Sequence, residues 1–296
     1  MKKPHLIIDV ALCQGCNNCF LACKDEHAGN DWPGYSRPQS SHGECWIQVP
    51  CHERGQYPII DVAYRPTLCT HCADAPCVAR SDGAISKRSD GIVLIDPERA
   101  AGREDLVEAC PHGMIAWSEE SHAPQKCTLC AHLLDNGWTK PRCVQSCGPG
   151  ALSFVWETDH EFAKRAEAEG VDTLHPGSPE RTAVCYKNLP RYHSCFIAGS
   201  VAVERDGIVD CASGRAATLK KAVAGAGGSA GNGAGHEETV QTILTDAFGD
   251  FKFDGLEPGS GEYLVEIVSN GHGPARLAVK LGTSVSLGTI MVGGER

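Results

Sequence analysis

Long apolar stretches and an excess of basic residues are both missing from this sequence of 296 residues. No run approaches the roughly 18 apolar residues that a membrane-spanning helix needs, so no transmembrane segment is expected. The formal net charge of −10 at pH 7 argues against nucleic acid as a partner, because phosphate binding relies on lysine and arginine. The N-terminal stretch MKKPHLIIDVALC has only a short apolar segment, interrupted by Asp9. This pattern predicts no secretory signal and a cytoplasmic location.

Cysteine, by contrast, is abundant: the chain has 17, and 14 of them precede residue 148. The odd count, the uneven distribution and the lack of a signal sequence argue against a framework of disulfides. Buried cysteines used only for packing would not be clustered at short regular spacings. The composition therefore favours metal binding by thiolates in a reducing compartment.

The strongest motif lies near the N-terminus, where residues 13–23 read CQGCNNCFLAC. Three cysteines spaced two residues apart can surround one cubic iron–sulfur cluster. The fourth, three residues later, binds a different cluster in two-cluster ferredoxins. Zinc sites do not need such a triple, so this motif indicates iron.

Two further groups extend the pattern: residues 69–77 read CTHCADAPC, and residues 127–147 contain CTLC and CVQSC. Alone, the last group would also suit zinc, but beside the first motif iron is preferred. At four cysteines per cubic cluster, the candidates are enough for three clusters. These candidate ligands are Cys13, Cys16, Cys19, Cys23, Cys69, Cys72, Cys77, Cys110, Cys127, Cys130, Cys143 and Cys147.

With these motifs, the first 150 residues resemble the iron–sulfur subunits of the dimethyl-sulfoxide-reductase superfamily of molybdenum or tungsten enzymes. The resemblance implies two ferredoxin-like modules with four cysteine motifs. The first three cysteines of motif one share a cluster with the last cysteine of motif four, and the first three of motif four share one with the last cysteine of motif one. Motifs two and three are crossed in the same way. The implied ligands are Cys13, Cys16, Cys19 and Cys147 for cluster 1, Cys23, Cys127, Cys130 and Cys143 for cluster 2, and Cys69, Cys72, Cys77 and Cys110 for cluster 3.

One cluster of that family is missing here. The fourth place of motif two is Ser81, and the first three places of motif three are Ala100, Arg103 and Leu106. In the crossed scheme these four places would ligate a single cluster, whereas the ligands of its neighbour are all present. Random loss would not sort itself in this way. The pattern therefore supports crossed ligation and predicts that one whole cluster has been deleted. The resemblance implies that this is the cluster at the outer end.

The composition changes after residue 150. Residues 151–196 are interpreted as a connector, with a short helix over 159–170, a turn at HPGSP (175–179) and a strand in AVCYKNL (183–189). From 197 to 296, alternation as in DFKFDGL and EYLVEI, separated by turns, predicts an antiparallel β-sandwich. The Gly/Ala-rich segment 222–238 predicts a mobile loop. The expected fold class is α+β, with tandem ferredoxin-like modules over 1–150 followed by this sandwich.

Over nearly its full length the chain resembles the small subunits of pyrogallol–phloroglucinol transhydroxylase and related anaerobic phenol hydroxylases. The matching stretches include DVALCQGCNNCFLAC, DEHAGNDWPGY, YRPTLCTHCADAPCVA and TDAFGDFKFDGL, the last similar to prealbumin-like or carboxypeptidase-regulatory modules. The resemblance implies a large partner subunit that holds molybdenum and two pterins and acts on hydroxylated aromatics. This chain has no recognisable pterin motif or nucleophile–base set, so its expected role is electron transfer without catalysis of its own.

Three alternatives remain open on the sequence. The partner could be a respiratory enzyme of the same superfamily, although a deleted outer cluster counts against net electron flow. The chain could be a stand-alone ferredoxin-like carrier, or a zinc-stabilised binding module. Lys24 and Lys126 flank candidate ligands and could raise a cluster potential, although a solvated lysine is the simpler interpretation. For His71 and His112, hydrogen bonding near a cluster or plain packing is preferred over ligation.

Overall fold

Strands predominate over helices in the computed structural model, which describes residues 1–175, 181–223, 236–268 and 273–293. The strands are β1 Lys3–Asp9, β2 Ile47–Gln48, β3 Cys51–Gln56, β4 Ile59–Tyr64, β5 Thr67–Leu68, β6 Ile85–Lys87, β7 Val93–Ile95, β8 Ala116–Ser118, β9 Ala123–Gln125, β10 Leu152–Glu157, β11 Val171–Asp172, β12 Val184–Lys187, β13 Cys195–Arg205, β14 Ile208–Cys211, β15 Ala216–Val223, β16 His236–Leu244, β17 Asp250–Leu256, β18 Gly261–Ile267, β19 Ala275–Leu281 and β20 Val285–Val292. The helices are α1 Asn18–His27, α2 Pro76–Ala79, α3 Ala131–Asp135, α4 Arg142–Gln145, α5 Asp159–Glu169 and α6 Pro190–His193, with a 3₁₀ turn at Glu104–Leu106.

The first of two compact units consists of Met1–His52 and Ala63–Tyr192. Its main sheet has the order β10-β1-β12-β11, with β1 antiparallel to β10 and parallel to β12. Strand β1 is buried along almost its whole length, which explains why residues 6–8 read LII and do not alternate with polar residues. The strand expected in AVCYKNL (183–189) is confirmed as β12, and the cysteine motifs lie in the loops and short helices around this sheet.

Helix α5 shows how local sequence determines an element in this unit. The Thr158 hydroxyl accepts a hydrogen bond from Glu161 N (3.3 Å), and the Glu161 carboxylate accepts one from Thr158 N (2.8 Å), forming a capping box. The helix ends at Gly170, whose φ of 63° favours glycine because side chains are strained in that region. The helix expected over 159–170 is therefore confirmed.

The second unit consists of Glu53–Val62 and His193–Arg296. One of its sheets has the order β14-β13-β17 with β20 also paired to β13, and the other has the order β16-β15-β18-β19. Inward-facing residues of both sheets share one apolar cluster. The strand pairs are antiparallel except β13 with β20, which are parallel. Parallel pairing is possible here because β13 and β20 are the first and last long strands of the unit, so that no tight turn has to join them.

The predicted alternation is confirmed in this unit. In β17 the rings of Phe251 and Phe253 are buried, and in β18 Tyr263, Val265 and Ile267 are buried on one face. HPGSP falls outside the described residues except for its first residue, and the Gly/Ala-rich segment falls outside them between 224 and 235. The functional division into 1–150, 151–196 and 197–296 stays a prediction.

A buried arginine stabilises the second unit. The Arg54 side chain is 1% exposed, and its guanidinium donates to both carboxylate oxygens of Asp254 (2.9 and 3.0 Å) and to Asp61. It also donates to the carbonyl oxygen of Ser194 at 3.1 Å. These acceptors come from chain segments far apart in sequence, so one guanidinium connects them.

We expect Arg54→Met to lower the free energy of unfolding by about 3 kcal/mol, because the partly buried Asp61 and Asp254 carboxylates lose the buried guanidinium and keep Lys252 as a cationic partner. Urea unfolding of the full chain measures the change. The matched control is Arg276→Met, which removes a guanidinium that is 56% exposed and paired with Glu266. That change should cost about 1 kcal/mol at most. Equal losses in the two variants would contradict this account of Arg54.

Candidate iron–sulfur centres

Four cysteines gather around the N-terminal motif and are named thiol set I: Cys13, Cys16, Cys19 and Cys147. The pKa of Cys19 is raised to about 11, mainly by burial and to a smaller extent by the nearby Cys13, Cys147 and Cys16 thiols. Leu152 N donates to the sulfur of Cys147 at 3.4 Å. Set I is the most accessible of the three thiol sets, because Cys16 is exposed and Cys13 half-buried.

The loop of set I requires glycine at position 15. Its φ is 67°, and a Cβ atom there would lie 2.4 Å from a ring carbon of Tyr64. The loop can therefore pass under the tyrosine ring only without a side chain. Residue 17 is also left-handed, with φ 58°, and α1 begins directly after it. These two turns direct Cys13, Cys16 and Cys19 towards a common centre.

Thiol set II consists of Cys23, Cys127, Cys130 and Cys143, which line one cavity. Burial raises the pKa of Cys127 and Cys130 to about 12 and that of Cys23 and Cys143 well above its ordinary value. Leu129 N donates to the sulfur of Cys127 at 3.3 Å.

His27 and Trp46 complete the wall of this cavity and were missed in the sequence. The His27 ring lies 4.4 Å from the Trp46 ring, between centroids, and burial lowers the pKa of His27 to about 3. The signal available for His27 was its position four residues after Cys23 on one helix, which places both side chains on the same face. Trp46 had no comparable signal.

Thiol set III consists of Cys69, Cys72, Cys77 and Cys110, which line a separate cavity. Met114 N donates to the sulfur of Cys110 at 3.4 Å, and the Thr70 hydroxyl lies 3.2 Å from the sulfur of Cys72. Cys110 thus joins the triple of 69–77 across more than thirty residues of chain. The other three places of its own motif are not part of this cavity.

The three sets follow one another in space. Cys19 of set I interacts electrostatically with Cys23 and Cys143 of set II. Cys69 of set III interacts in the same way with Cys127 of set II. Set II therefore lies between sets I and III.

Apolar packing surrounds the four places that the resemblance assigns to a further cluster. Ser81, Ala100 and Leu106 are all 0% exposed, and Ala100 and Leu106 belong to an apolar cluster with Ile85. The Ser81 hydroxyl accepts from Ile85 N (3.0 Å) and lies 2.9 Å from the carbonyl oxygen of Val78. Arg103, at the remaining place, is half-buried and pairs with the carboxylate of Asp105 at 2.7 and 2.8 Å.

The five other cysteines lie outside the three sets. Cys45, Cys51 and Cys211 are half-buried or exposed, whereas Cys185 and Cys195 are buried. Cys185 packs with Ile7 and Phe162, and burial raises its pKa to about 11. All seventeen cysteines fall within the described ranges, and no disulfide joins any two of them.

Buried thiols of this kind suit a cationic metal core. A thiol with a pKa near 11 or 12 stays protonated at neutral pH, and a positively charged core is what converts it to a thiolate ligand. Within the described parts of the chain, no three His, Cys, Asp or Glu side chains approach closely enough to hold one metal ion.

Among the described helices, none has both the length and the apolarity needed to span a membrane.

Cysteine loops of this geometry define a protein of the multi-cluster ferredoxin type, and comparison with known proteins agrees. The 4Fe-4S dicluster domain model matches residues 60–157. The pyrogallol hydroxytransferase small subunit of Pelobacter acidigallici is 42% identical over 293 residues, or 98% of this chain and 99% of that protein. A putative iron-sulfur subunit of dimethyl sulfoxide reductase from Halobacterium salinarum is 32% identical over 181 residues, or 52% of this chain and 66% of that protein.

The chain belongs to the family of iron–sulfur electron-transfer subunits of molybdopterin enzymes that includes the Pelobacter small subunit. The resemblance drawn from the cysteine motifs is thereby confirmed. Among solved structures, a shaft pilin of Lactobacillus rhamnosus GG matches with 13% identity over 38% of this chain and 54% of the pilin chain. Its TM-score of 0.25 is too low to bear on the fold. That the three thiol sets bind clusters stays a prediction at the level of individual residues.

Proposed function

We propose that this chain binds three [4Fe–4S] clusters and transfers electrons for a large molybdopterin-containing catalytic subunit that acts on hydroxylated aromatic compounds. The grouping of twelve cysteines into three sets of four supports this proposal most directly. In this proposal set I binds cluster 1, set II binds cluster 2 and set III binds cluster 3. The iron–sulfur domain spans 1–150, a connector spans 151–196, and 197–296 is a β-sandwich of the prealbumin or carboxypeptidase-regulatory type.

The thiol sets fit such clusters in chemistry as well as in number. Bound clusters supply one-electron chemistry, at a potential set by burial and by hydrogen bonds to sulfur. The chain contributes both: most of the twelve thiols are buried, and backbone N–H groups of Leu129, Met114 and Leu152 each donate to one cysteine sulfur. These donors stabilise negative charge on sulfur and so favour the reduced state.

The proposed partner and its substrate are inferred from the Pelobacter small subunit. The 42% identity over nearly all of both chains supports a catalytic subunit that, as the name pyrogallol hydroxytransferase indicates, moves a hydroxyl group on a phenol. That partner would hold molybdenum with two pterins, and this chain would take no direct part in the bond-breaking steps. Cysteines clustered at metal-ligand spacings suit a reducing compartment, for which we propose the cytoplasm.

The filled fourth site favours this function over a respiratory one. No thiol is present at Ser81, Ala100 or Leu106, and all three side chains are buried in packing. Set III is therefore the outer end of the proposed electron path. A respiratory subunit must pass electrons onward continuously, and the family uses the missing position for that exit. A chain of three clusters instead suits a reaction in which electrons are stored and returned.

The test is a metal count on the complex purified without oxygen. We expect about twelve irons per copy of this chain, after subtraction of any in the partner, and one molybdenum per pair of subunits. About sixteen irons would contradict the three-cluster assignment. Iron without molybdenum or tungsten would indicate a stand-alone carrier, and zinc without iron would indicate a zinc-stabilised module.

A further inference from the structure

The two lysines that flank candidate ligands differ in environment. Lys24, next to Cys23, is half-buried, and its ammonium donates to the carbonyl oxygens of Ser40 and Glu44, both at 2.6 Å. Lys126, next to Cys127, is only 3% exposed. A solvated lysine, the simpler interpretation of the sequence, is therefore wrong for Lys126.

Lys126 lies where thiol sets II and III meet. It lines the cavity of set III, and its Nζ atom donates to the carbonyl oxygen of Cys127 of set II at 3.0 Å and to that of Val93. Burial raises the pKa of the Cys77 and Cys127 thiols, and the Lys126 ammonium acts in the opposite direction on both. One cation thus interacts electrostatically with a cysteine of each set.

Carbonyl oxygens, rather than carboxylates, surround this cation. Among the residues that the structure describes, no Asp or Glu oxygen lies within ion-pairing distance of the Lys126 Nζ atom. The neighbouring His71 is fully buried, its Nδ1 accepts from Val93 N at 3.0 Å, and burial together with Lys126 keeps its pKa well below the ordinary value. Because its Nδ1 atom accepts a hydrogen bond and so carries no proton, the ring is neutral and adds no charge of either sign.

Burying an ammonium without a counter-ion is costly. Carbonyl oxygens satisfy the donors but do not neutralise the charge. A cubic cluster with four thiolates has a net negative charge, which increases by one on reduction. Two such clusters on either side of Lys126 would supply the missing negative charge and explain why a lysine is buried there.

We propose that Lys126 is the shared counter-ion of clusters 2 and 3 and holds the reduction potentials of both higher than they would be without it. This inference rests on the proposed function, since it requires clusters in sets II and III. Each reduction adds one electron to a cluster, supplied through the catalytic partner, and no proton moves. The consequence is that this charge favours storage of electrons on clusters 2 and 3 over cluster 1, relative to a chain without it.

The experiment is an EPR-monitored redox titration of the purified complex with Lys126→Gln and Lys126→Met. Glutamine can still donate to the carbonyl oxygens, whereas methionine only fills the space, and neither has a charge. We expect the reduction potentials of clusters 2 and 3 to fall in both variants by about 59 mV or more. For a one-electron couple this corresponds to a tenfold less favourable reduction equilibrium. Lys126→Arg should leave both potentials close to the wild-type values.

The matched control is Lys140→Met, which removes the same charge from an exposed lysine beside Pro141 of the set II cavity. Water screens that charge, so the potentials should not move. A shift in Lys126→Met without one in Lys126→Gln would show that hydrogen bonding rather than charge matters and would overturn the proposal. Unchanged potentials in both would do the same.

Loss of clusters in the variants is also decisive. If both neutral variants lose the iron of clusters 2 and 3 while Lys126→Arg keeps about twelve irons, the requirement is for charge and the proposal stands. If Lys126→Arg loses that iron as well, the requirement is for shape and the proposal fails. A wild-type complex without three [4Fe–4S] signals would instead refute the proposed function and is recognised before any variant is made.

Discussion

Removing Cys19 and Cys147 together, as Cys19→Ala with Cys147→Ala, is expected to lower the iron content from about twelve to about eight per chain. The two residues are far apart in sequence, but both belong to set I, and the Cys147 thiol contributes to the electrostatic environment of Cys19. Loss of two ligands from one cubic cluster leaves too few thiolates to hold it. The other two clusters keep all their ligands, so their EPR signals should persist.

The contrasting pair is Cys143→Ala with Cys147→Ala. These cysteines are only four residues apart, but Cys143 lines the cavity of set II, whereas Cys147 belongs to set I. Each of two clusters then loses one ligand, and the EPR signals of both should change. If ligands were instead taken from neighbouring positions in sequence, this pair would eliminate a single cluster and the first pair would damage two.

Cys211→Ala is the control for cysteine removal as such, because Cys211 is exposed and outside the three sets. It should keep about twelve irons. The measurement is iron content together with EPR spectra of dithionite-reduced protein, prepared without oxygen. An identical pattern in the two double variants would refute crossed ligation.

The sequence was most informative where chemistry depends on close spacing. The two-residue spacing of Cys13, Cys16 and Cys19 predicted that they would lie together, and all three belong to thiol set I. The alternation of Phe251 and Phe253 predicted the buried face of β17 because strand geometry alone determines which side chains face inward. Both predictions rest on local rules that no distant contact overrides.

Long-range packing could not be predicted in the same way. The segment interpreted as a connector contributes β10 and β12 to the main sheet on either side of β1, through pairs such as Ile8 with Leu152 and with Tyr186. Nothing in the local sequence of these strands indicates which strand each of them pairs with. The burial of Lys126 had the same cause: its environment is made by residues such as Val93 and Cys77, which are distant in sequence.

The second large effect concerns the four places that the resemblance assigns to a further cluster. Leu106 is 0% exposed within an apolar cluster that includes Ala100, Ile85, Ile95 and Ile115. Leu106→Ala is expected to lower the free energy of unfolding by about 2–5 kcal/mol, because the packed neighbours can only partly close the space left behind. Urea unfolding without oxygen measures it. Leu21→Ala, on a side chain that is 58% exposed on α1, is the control and should change the value by about 0.5 kcal/mol or less.

The same packing predicts the behaviour of a chain with the four thiols restored. Ser81→Cys, Ala100→Cys, Arg103→Cys and Leu106→Cys together provide a full set of ligands, but Ile85 and Ile95 occupy the surroundings and the Ser81 hydroxyl is bonded to the backbone of Ile85. A cubic core would have to displace this packing, at a cost similar to overfilling a core. The fourfold variant should therefore keep about twelve irons. About sixteen irons with a new EPR signal would show that loss of the ligands alone, and not the apolar filling, removed the fourth cluster.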